Sequence, residues 1–79
     1  MLSERTLNKY RLRIAARNWL TLKQTLGLRN HIYDTAEPGE YSHIVNHADK
    51  LMTEESDWGV CFQCAWLYSL AQKEKGGYV

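Results

Sequence analysis

The sequence predicts an all-α fold, a small bundle of three helices forming a single domain over residues 1–79. The chain has one proline and five glycines, so few positions interrupt regular structure. Long segments carry apolar residues at intervals of three and four, which is the period of an amphipathic helix. No segment alternates between apolar and polar residues in the way a half-buried strand does. These observations together favour helices over a sheet.

We predict the first helix over residues 3–27, with Ser3 as its N-cap and Gly27 just beyond its end. One apolar stripe with alternating spacings of three and four is expected to face the core: Leu12, Ala15, Trp19, Leu22 and Leu26. A second stripe beside it consists of Leu7, Tyr10 and Ile14. Residues 28–37 are then expected to be a connector, with Ile32 and Tyr33 inserted into the core.

The second helix is predicted over residues 38–54, because Pro38 suits the first helical position. The third is predicted over residues 57–75, capped by Ser56 or Asp57 and stopped by Gly76 and Gly77, with 76–79 as a frayed tail. The segment 58–71 contains no charged residue and is apolar on nearly every side. A helix of that kind must be covered all round, so we expect the third helix to be central.

Two other helices can cover about two sides of a central helix. One flank of the third helix is therefore expected to stay open, with large apolar residues on it. We predict that this flank forms a homodimer interface through Phe62, Trp66 and Leu67, or that a monomer docks the same flank onto a partner.

Charge is divided unevenly along the chain. Residues 1–33 hold seven Lys or Arg and a single acidic residue, whereas residues 34–79 hold three Lys and eight Asp or Glu. Four of the cations recur every fourth residue on the side of the first helix opposite its main stripe, with an apolar residue at the end of the row: Arg5, Lys9, Arg13, Arg17 and Leu20. Like charges at this spacing repel by a few tenths of a kcal/mol per pair. The row therefore indicates a surface for a negatively charged partner, with the alternative that part of this charge is satisfied within the monomer.

These features favour a small cytoplasmic interaction protein that is not an enzyme and needs no cofactor. We expect it to bind a protein partner through the basic face of the first helix. An acidic surface on that partner would complement the charge of this face. Small phage and mobile-element proteins that inhibit or redirect host machinery often have this size and charge layout. No signal peptide is visible in residues 1–17, and the apolar segment 58–71 is shorter than the roughly 20 residues that span a bilayer.

A nucleic-acid-binding regulator is the main alternative, because a row of Arg and Lys also neutralises phosphates. Residues 21–35 have Gly27 where a helix-turn-helix motif has its turn. Against that reading, Lys23 stands where such a motif has a small residue, and Pro38 leaves little length for a recognition helix.

A zinc-stabilised helical module is a further alternative, since His43 and His47 are four apart and Cys61 and Cys64 three apart. The two histidines are expected on the polar face of the second helix, turned away from the cysteines. A redox role for the cysteines lacks the βαβ context of thioredoxin-like proteins. An acid–base cluster of Glu40, His43 and His47 has no nucleophile beside it, so no catalytic or metal residues are assigned.

Overall fold

The computed structural model describes residues 2–76, and this part of the chain contains four helices. The helices are α1 (Glu4–Ala15), α2 (Leu22–Thr35), α3 (Glu40–Leu51) and α4 (Trp58–Glu74). The predicted all-α class is confirmed, but the predicted number of helices is wrong. The discrepancy arises in the first half of the chain, where the single helix expected over residues 3–27 is replaced by α1, a short connection and α2.

The end of α1 has the hydrogen bonding of a Schellman motif. The N–H of Arg17 donates to the carbonyl oxygen of Ile14 at 3.0 Å, and the N–H of Asn18 donates to that of Arg13 at 2.8 Å. Arg17 has a φ of 60°, the left-handed conformation that glycine usually provides at this position. A residue type that seldom adopts this conformation thus ends α1, so no glycine marks the end of this helix in the sequence.

The start of α2 is fixed by a capping box. The side-chain oxygen of Thr21 accepts from the backbone N–H of Gln24 at 3.1 Å, and the Gln24 side chain accepts from the N–H of Thr21 at 3.0 Å. From there α2 runs without interruption through Gly27 to Thr35. Gly27 is therefore neither a helix end nor the turn of a helix-turn-helix motif, and most of the expected connector 28–37 is helical.

Replacing Gly27 with alanine is expected to raise the free energy of unfolding by about 0.5–1 kcal/mol, as for an unstrained glycine inside a helix. A Cβ built at Gly27 meets no other atom within 4 Å, so the methyl group causes no clash. Urea unfolding monitored by circular dichroism measures the change. Gly39→Ala is the matched control, because a Cβ there is equally free of contacts but φ is +87°. That variant is expected to be less stable than wild type, and a Gly27→Ala variant less stable than wild type would contradict the prediction.

The break between α1 and α2 also changes which residues face the core. The spacing of Leu12, Leu22 and Leu26 was extrapolated across a segment that is not helical, so these residues do not share one buried face. Leu12 is 65% exposed and Leu22 is 73% exposed. The buried residues of the two helices are instead Tyr10 and Ile14 in α1 and Thr25, Leu28 and Ile32 in α2. Tyr33, also expected in the core, is 70% exposed.

The central element is α4, which contacts each of the other three helices and packs most extensively against α3. Each helix supplies a fully buried side chain to one core: Ile14, Leu28, Ile44 and Phe62. The N-cap of α4 is Asp57, whose Oδ1 accepts from the N–H of Gly59 at 2.9 Å. Gly76, with a φ of 117°, follows α4, whereas residues 77–79 of the predicted frayed tail lie outside the described residues.

Because α1 and α2 are separate helices, α4 has three neighbours and the expected open flank is largely filled. Phe62 is fully buried and Trp66 is 6% exposed, so neither can form an interface while the monomer stays folded. Leu67 is partly buried and packs against the same core. The proposed interface through these residues is therefore wrong at Phe62 and Trp66. Homodimerisation itself stays a prediction, which size-exclusion chromatography with light scattering would test.

Candidate functional site

The outward side of α1 combines positive charge with an exposed apolar side chain. Arg5 and Lys9 are exposed, and Leu12, three residues after Lys9, lies on the same side of the helix. Neither cation forms an ion pair within residues 2–76. We refer to Arg5, Lys9 and Leu12 as the α1 outer face. The first two were predicted as partner-binding residues, whereas Leu12 was expected in the core on the opposite side of the helix. That expectation is wrong, because Leu12 is exposed and is three residues from Lys9 within α1.

Arg13, the third cation of the predicted row, is used inside the molecule. Its guanidinium donates to the Gln24 side chain at 3.0 Å and to the carbonyl oxygen of Trp19 at 2.9 Å. These bonds tie the end of α1 to the connection and to the first turn of α2. Charge-assisted bonds of this kind are stronger than neutral ones, so Arg13 stabilises the turn.

Arg17, the fourth cation, also contacts its own chain. Its guanidinium carbon lies 5.7 Å from the centre of the Trp19 ring, within cation–π range, and a guanidinium nitrogen donates to the Ile14 carbonyl oxygen at 3.3 Å. Arg17 is nevertheless exposed to solvent. Of the predicted row of four cations, Arg5 and Lys9 are therefore the two whose side chains have no hydrogen bond, ion pair or cation–π contact among residues 2–76.

Leu20, predicted at the end of the row as a partner-binding residue, is 6% exposed and belongs to the core. Its backbone N–H donates to Oε1 of Gln63 at 2.9 Å, and Gln63 is itself 1% exposed in α4. This long-range bond draws the connection inward, and the prediction for Leu20 is wrong for that reason. The spacing of the cations could not reveal that Leu20 is buried, because the prediction treated residues 3–27 as one continuous helix.

A second exposed apolar surface lies on α2 and was not predicted. Leu22 and Tyr33 are largely exposed and Leu26 is 38% exposed, all on one flank of α2 beside the buried face that holds Leu28 and Ile32. The ring of Tyr33 meets Tyr41 of α3 edge-on at a centroid distance of 5.1 Å. This surface could have been predicted from the sequence. If Thr21 is recognised as an N-cap, the helical period counted from Leu22 separates the buried residues of α2 from its exposed apolar residues.

The histidines and cysteines considered for zinc have different surroundings. Cys61 is buried and its Sγ donates to the carbonyl oxygen of Glu55 at 3.3 Å, whereas Cys64 is partly buried. His43 is exposed, and His47 meets the ring of Tyr68 at a centroid distance of 4.7 Å. Across residues 2–76, no group of three or more His, Cys, Asp or Glu is arranged to hold a metal ion. The four candidates therefore do not form a ligand set.

The third member of the candidate acid–base cluster is also engaged elsewhere. The carboxylate of Glu40 lies 2.8 Å from the Lys73 ammonium, and the Glu40 side chain is only 10% exposed. This ion pair joins the first turn of α3 to the last turn of α4. This is a structural contact between two helix ends. The negative charge of Glu40 at the N-terminus of α3 and the positive charge of Lys73 near the C-terminus of α4 are each favourable to the dipole of their own helix.

Burial raises the pKa of the Cys61 thiol above its ordinary value of 9.0, and charges at Glu55, Cys64 and Asp57 act in the same direction. We expect Cys61 in the folded protein to react with iodoacetamide much more slowly than Cys64, because the thiolate is the reactive form. Mass spectrometry of timed samples measures the two rates. Equal rates in the folded protein would contradict the prediction.

The same shift makes stability depend on alkaline pH. The unfolded thiol ionises first as the pH rises through about 9, so the stabilisation is complete below that pH and is lost as the pH rises toward the folded pKa. The loss of unfolding free energy between about pH 8 and about pH 10 should therefore be larger for wild type than for Cys61→Ala. Urea unfolding at both pH values measures this difference.

None of the helices within residues 2–76 is long and apolar enough to cross a membrane. Comparisons of the chain with protein-family models, with curated proteins and with solved structures find no match.

Proposed function

We propose that the protein is a non-enzymatic interaction protein that binds an acidic surface of a partner protein through the α1 outer face. The observation that carries the proposal is the exposure of Leu12, 65%, on the same side of α1 as two cations that form no ion pair within the described part of the chain. An apolar side chain beside such cations suits a contact in which the leucine is desolvated and the charges meet carboxylates. Folding gives Leu12 little of the stabilisation that burial provides, so a partner is the better explanation of this residue.

A protein partner is favoured over nucleic acid because the cationic row is short. Arg13 and Arg17 make contacts within the fold, which leaves Arg5 and Lys9 for phosphates. Two phosphate contacts give a salt dependence with a slope of about −2 in log–log form, which is typical of weak binding. Leu12 adds nothing to phosphate binding, whereas it adds apolar area to a protein interface.

The test compares two doubly charge-reversed variants in a quantitative affinity enrichment, followed by binding measurements with the purified partner. Arg5→Glu/Lys9→Glu should lose the partner, and Lys50→Glu/Lys75→Glu is the matched control. The control has the same change in net charge at exposed lysines outside α1. Retention of every partner by the first variant would contradict the proposal.

Leu12→Ser separates the two classes of partner. Because Leu12 is mostly exposed, the substitution should change the free energy of unfolding by no more than about 0.5 kcal/mol. The affinity for a protein partner should nevertheless fall by about tenfold, as for an apolar residue that is buried on binding. Binding to a random DNA duplex that weakens steeply with salt, is lost in Arg5→Glu/Lys9→Glu and is unchanged in Leu12→Ser would favour the nucleic-acid alternative and overturn the proposal.

A further inference from the structure

A cleft of about 470 Å³ lies between α1, α2 and the second half of α4, with Glu40 at the start of α3 also lining it, on a part of the molecule that the proposed function does not use. This volume is within the range of about 300–1,000 Å³ found for small-molecule sites. Four large apolar residues from three helices line the cleft: Leu7, Ile32, Trp66 and Leu70. An apolar ligand body would therefore meet apolar side chains on several sides.

Arg11 of α1 also lines the cleft, and its guanidinium is incompletely paired. Its Nη1 lies 3.7 Å from Oε1 of Glu74, which is too long for a hydrogen bond although it counts as an ion pair. Its Nε is buried and has no hydrogen-bond partner within residues 2–76. The Arg11 side chain as a whole is 41% exposed, so the N–H groups at the end of its guanidinium are open to an acceptor that enters the cleft.

The other charges around the cleft restrict the charge of the ligand. Lys73 is held by Glu40 at 2.8 Å and is therefore already neutralised. Glu4 and Glu74, both exposed, are further lining residues and carry negative charge. A dianion such as a phosphate monoester would be repelled by them and would find one available cation. A single carboxylate matches the planar guanidinium and introduces less repulsion.

We propose that this cleft binds small organic acids that carry one carboxylate on an apolar body. The carboxylate accepts hydrogen bonds from Arg11 and takes the place of Glu74 beside it, while the apolar body contacts Leu7 and Leu70, which are only partly buried. The site is independent of the α1 outer face, since Arg11 lies on a different side of α1 from Arg5 and Lys9.

Octanoate is the probe, titrated into the isotope-labelled full chain while amide chemical shifts are recorded. We expect saturable shifts at residues of the cleft. Octan-1-ol, with the same chain and no charge, should bind about tenfold more weakly, as expected from the loss of a charge-assisted bond. Equal affinity for the acid and the alcohol, or an absence of shifts at the cleft, would overturn the proposal.

Two variants with opposite expected effects assign the carboxylate to Arg11. Arg11→Gln should weaken octanoate binding by about tenfold and leave octan-1-ol binding unchanged. Glu74→Gln should strengthen octanoate binding by a few fold, because it removes the carboxylate that competes for Arg11. Arg29→Gln is the control, since Arg29 is on α2 and does not line the cleft. The spectrum of each variant reports whether it is folded, and folded Arg11→Gln with undiminished affinity for octanoate would overturn the proposal.

Discussion

Replacing Phe62 with alanine is expected to lower the free energy of unfolding by about 3–5 kcal/mol. Phe62 is fully buried in α4, its ring stacks on Trp58 at a centroid distance of 5.1 Å, and it lies in the core to which all four helices contribute. Truncation removes buried apolar area and leaves a cavity that the surrounding helices cannot fill completely. A domain of this size has a total stability near the low end of about 5–15 kcal/mol, so the loss is a large fraction of it.

Urea unfolding at two protein concentrations provides the measurement. If Phe62 is a core residue of the monomer, its effect on unfolding is the same at both concentrations. Tyr68→Ala is the control on the same helix: Tyr68 is 52% exposed, and the expected loss is about 1 kcal/mol or less. A Phe62→Ala variant as stable as wild type would contradict the assignment of Phe62 to the core. A loss of unfolding free energy that depends on protein concentration would indicate that Phe62 lies at an interface between copies.

Replacing Gln63 with leucine is expected to lower the free energy of unfolding by about 2–4 kcal/mol. Gln63 is a buried polar residue whose Oε1 accepts from the Leu20 N–H at 2.9 Å and whose Nε2 donates to Thr25 Oγ1 at 3.1 Å. Thr25 Oγ1 in turn donates to the carbonyl oxygen of Thr21 at 2.9 Å. Leucine has a similar volume but leaves the Leu20 N–H buried without an acceptor, which costs about 1–3 kcal/mol by itself.

Hydrogen exchange gives a local measurement of the same contact. The Leu20 amide should exchange faster in Gln63→Leu than in wild type by more than the change in global stability predicts. Gln72→Leu is the matched control, because Gln72 is on the same helix and partly exposed. It should change the free energy of unfolding by no more than about 0.5 kcal/mol. Equal stability of the two variants would show that the buried network contributes nothing.

The second half of the fold could be predicted because its signals are local. A capping residue at 57, a continuous apolar segment and a glycine after the last turn placed the last helix within a residue or two of α4 (Trp58–Glu74). Ser3 was likewise identified as the N-cap of the first helix, and its side chain accepts from the N–H of Thr6 at 3.1 Å. Each of these signals depends on residues close together in the chain.

The first half could be predicted only in part. The turn at Arg17 is held by the hydrogen bond from Arg13 to the Trp19 carbonyl oxygen and by the one from the Leu20 N–H to Gln63. Gln63 is 43 residues after Leu20 in the chain, so this second contact is not visible in the local sequence. The capping box of Thr21 and Gln24, by contrast, was visible in the sequence and would have indicated a new helix. Because the prediction did not use this capping box, it placed Leu12 in the core and Phe62 at an interface. Within the predicted site, the exposure of Arg5 and Lys9 could be predicted without knowing that α1 ends at Ala15, because both residues lie in the first half of α1.

The connection between α1 and α2 has a consequence for the order of folding. The largest packing interface is between α3 and α4, which are neighbours in the chain, so half of the bundle can form from local contacts. By contrast, α1 and α2 meet α4 across long separations in the sequence and pack less extensively against it than α3 does. We expect α1 and α2 to open before α3 and α4 in the native state and to dock after them during folding. The proposed binding face therefore lies on the half of the bundle that a partner would stabilise most.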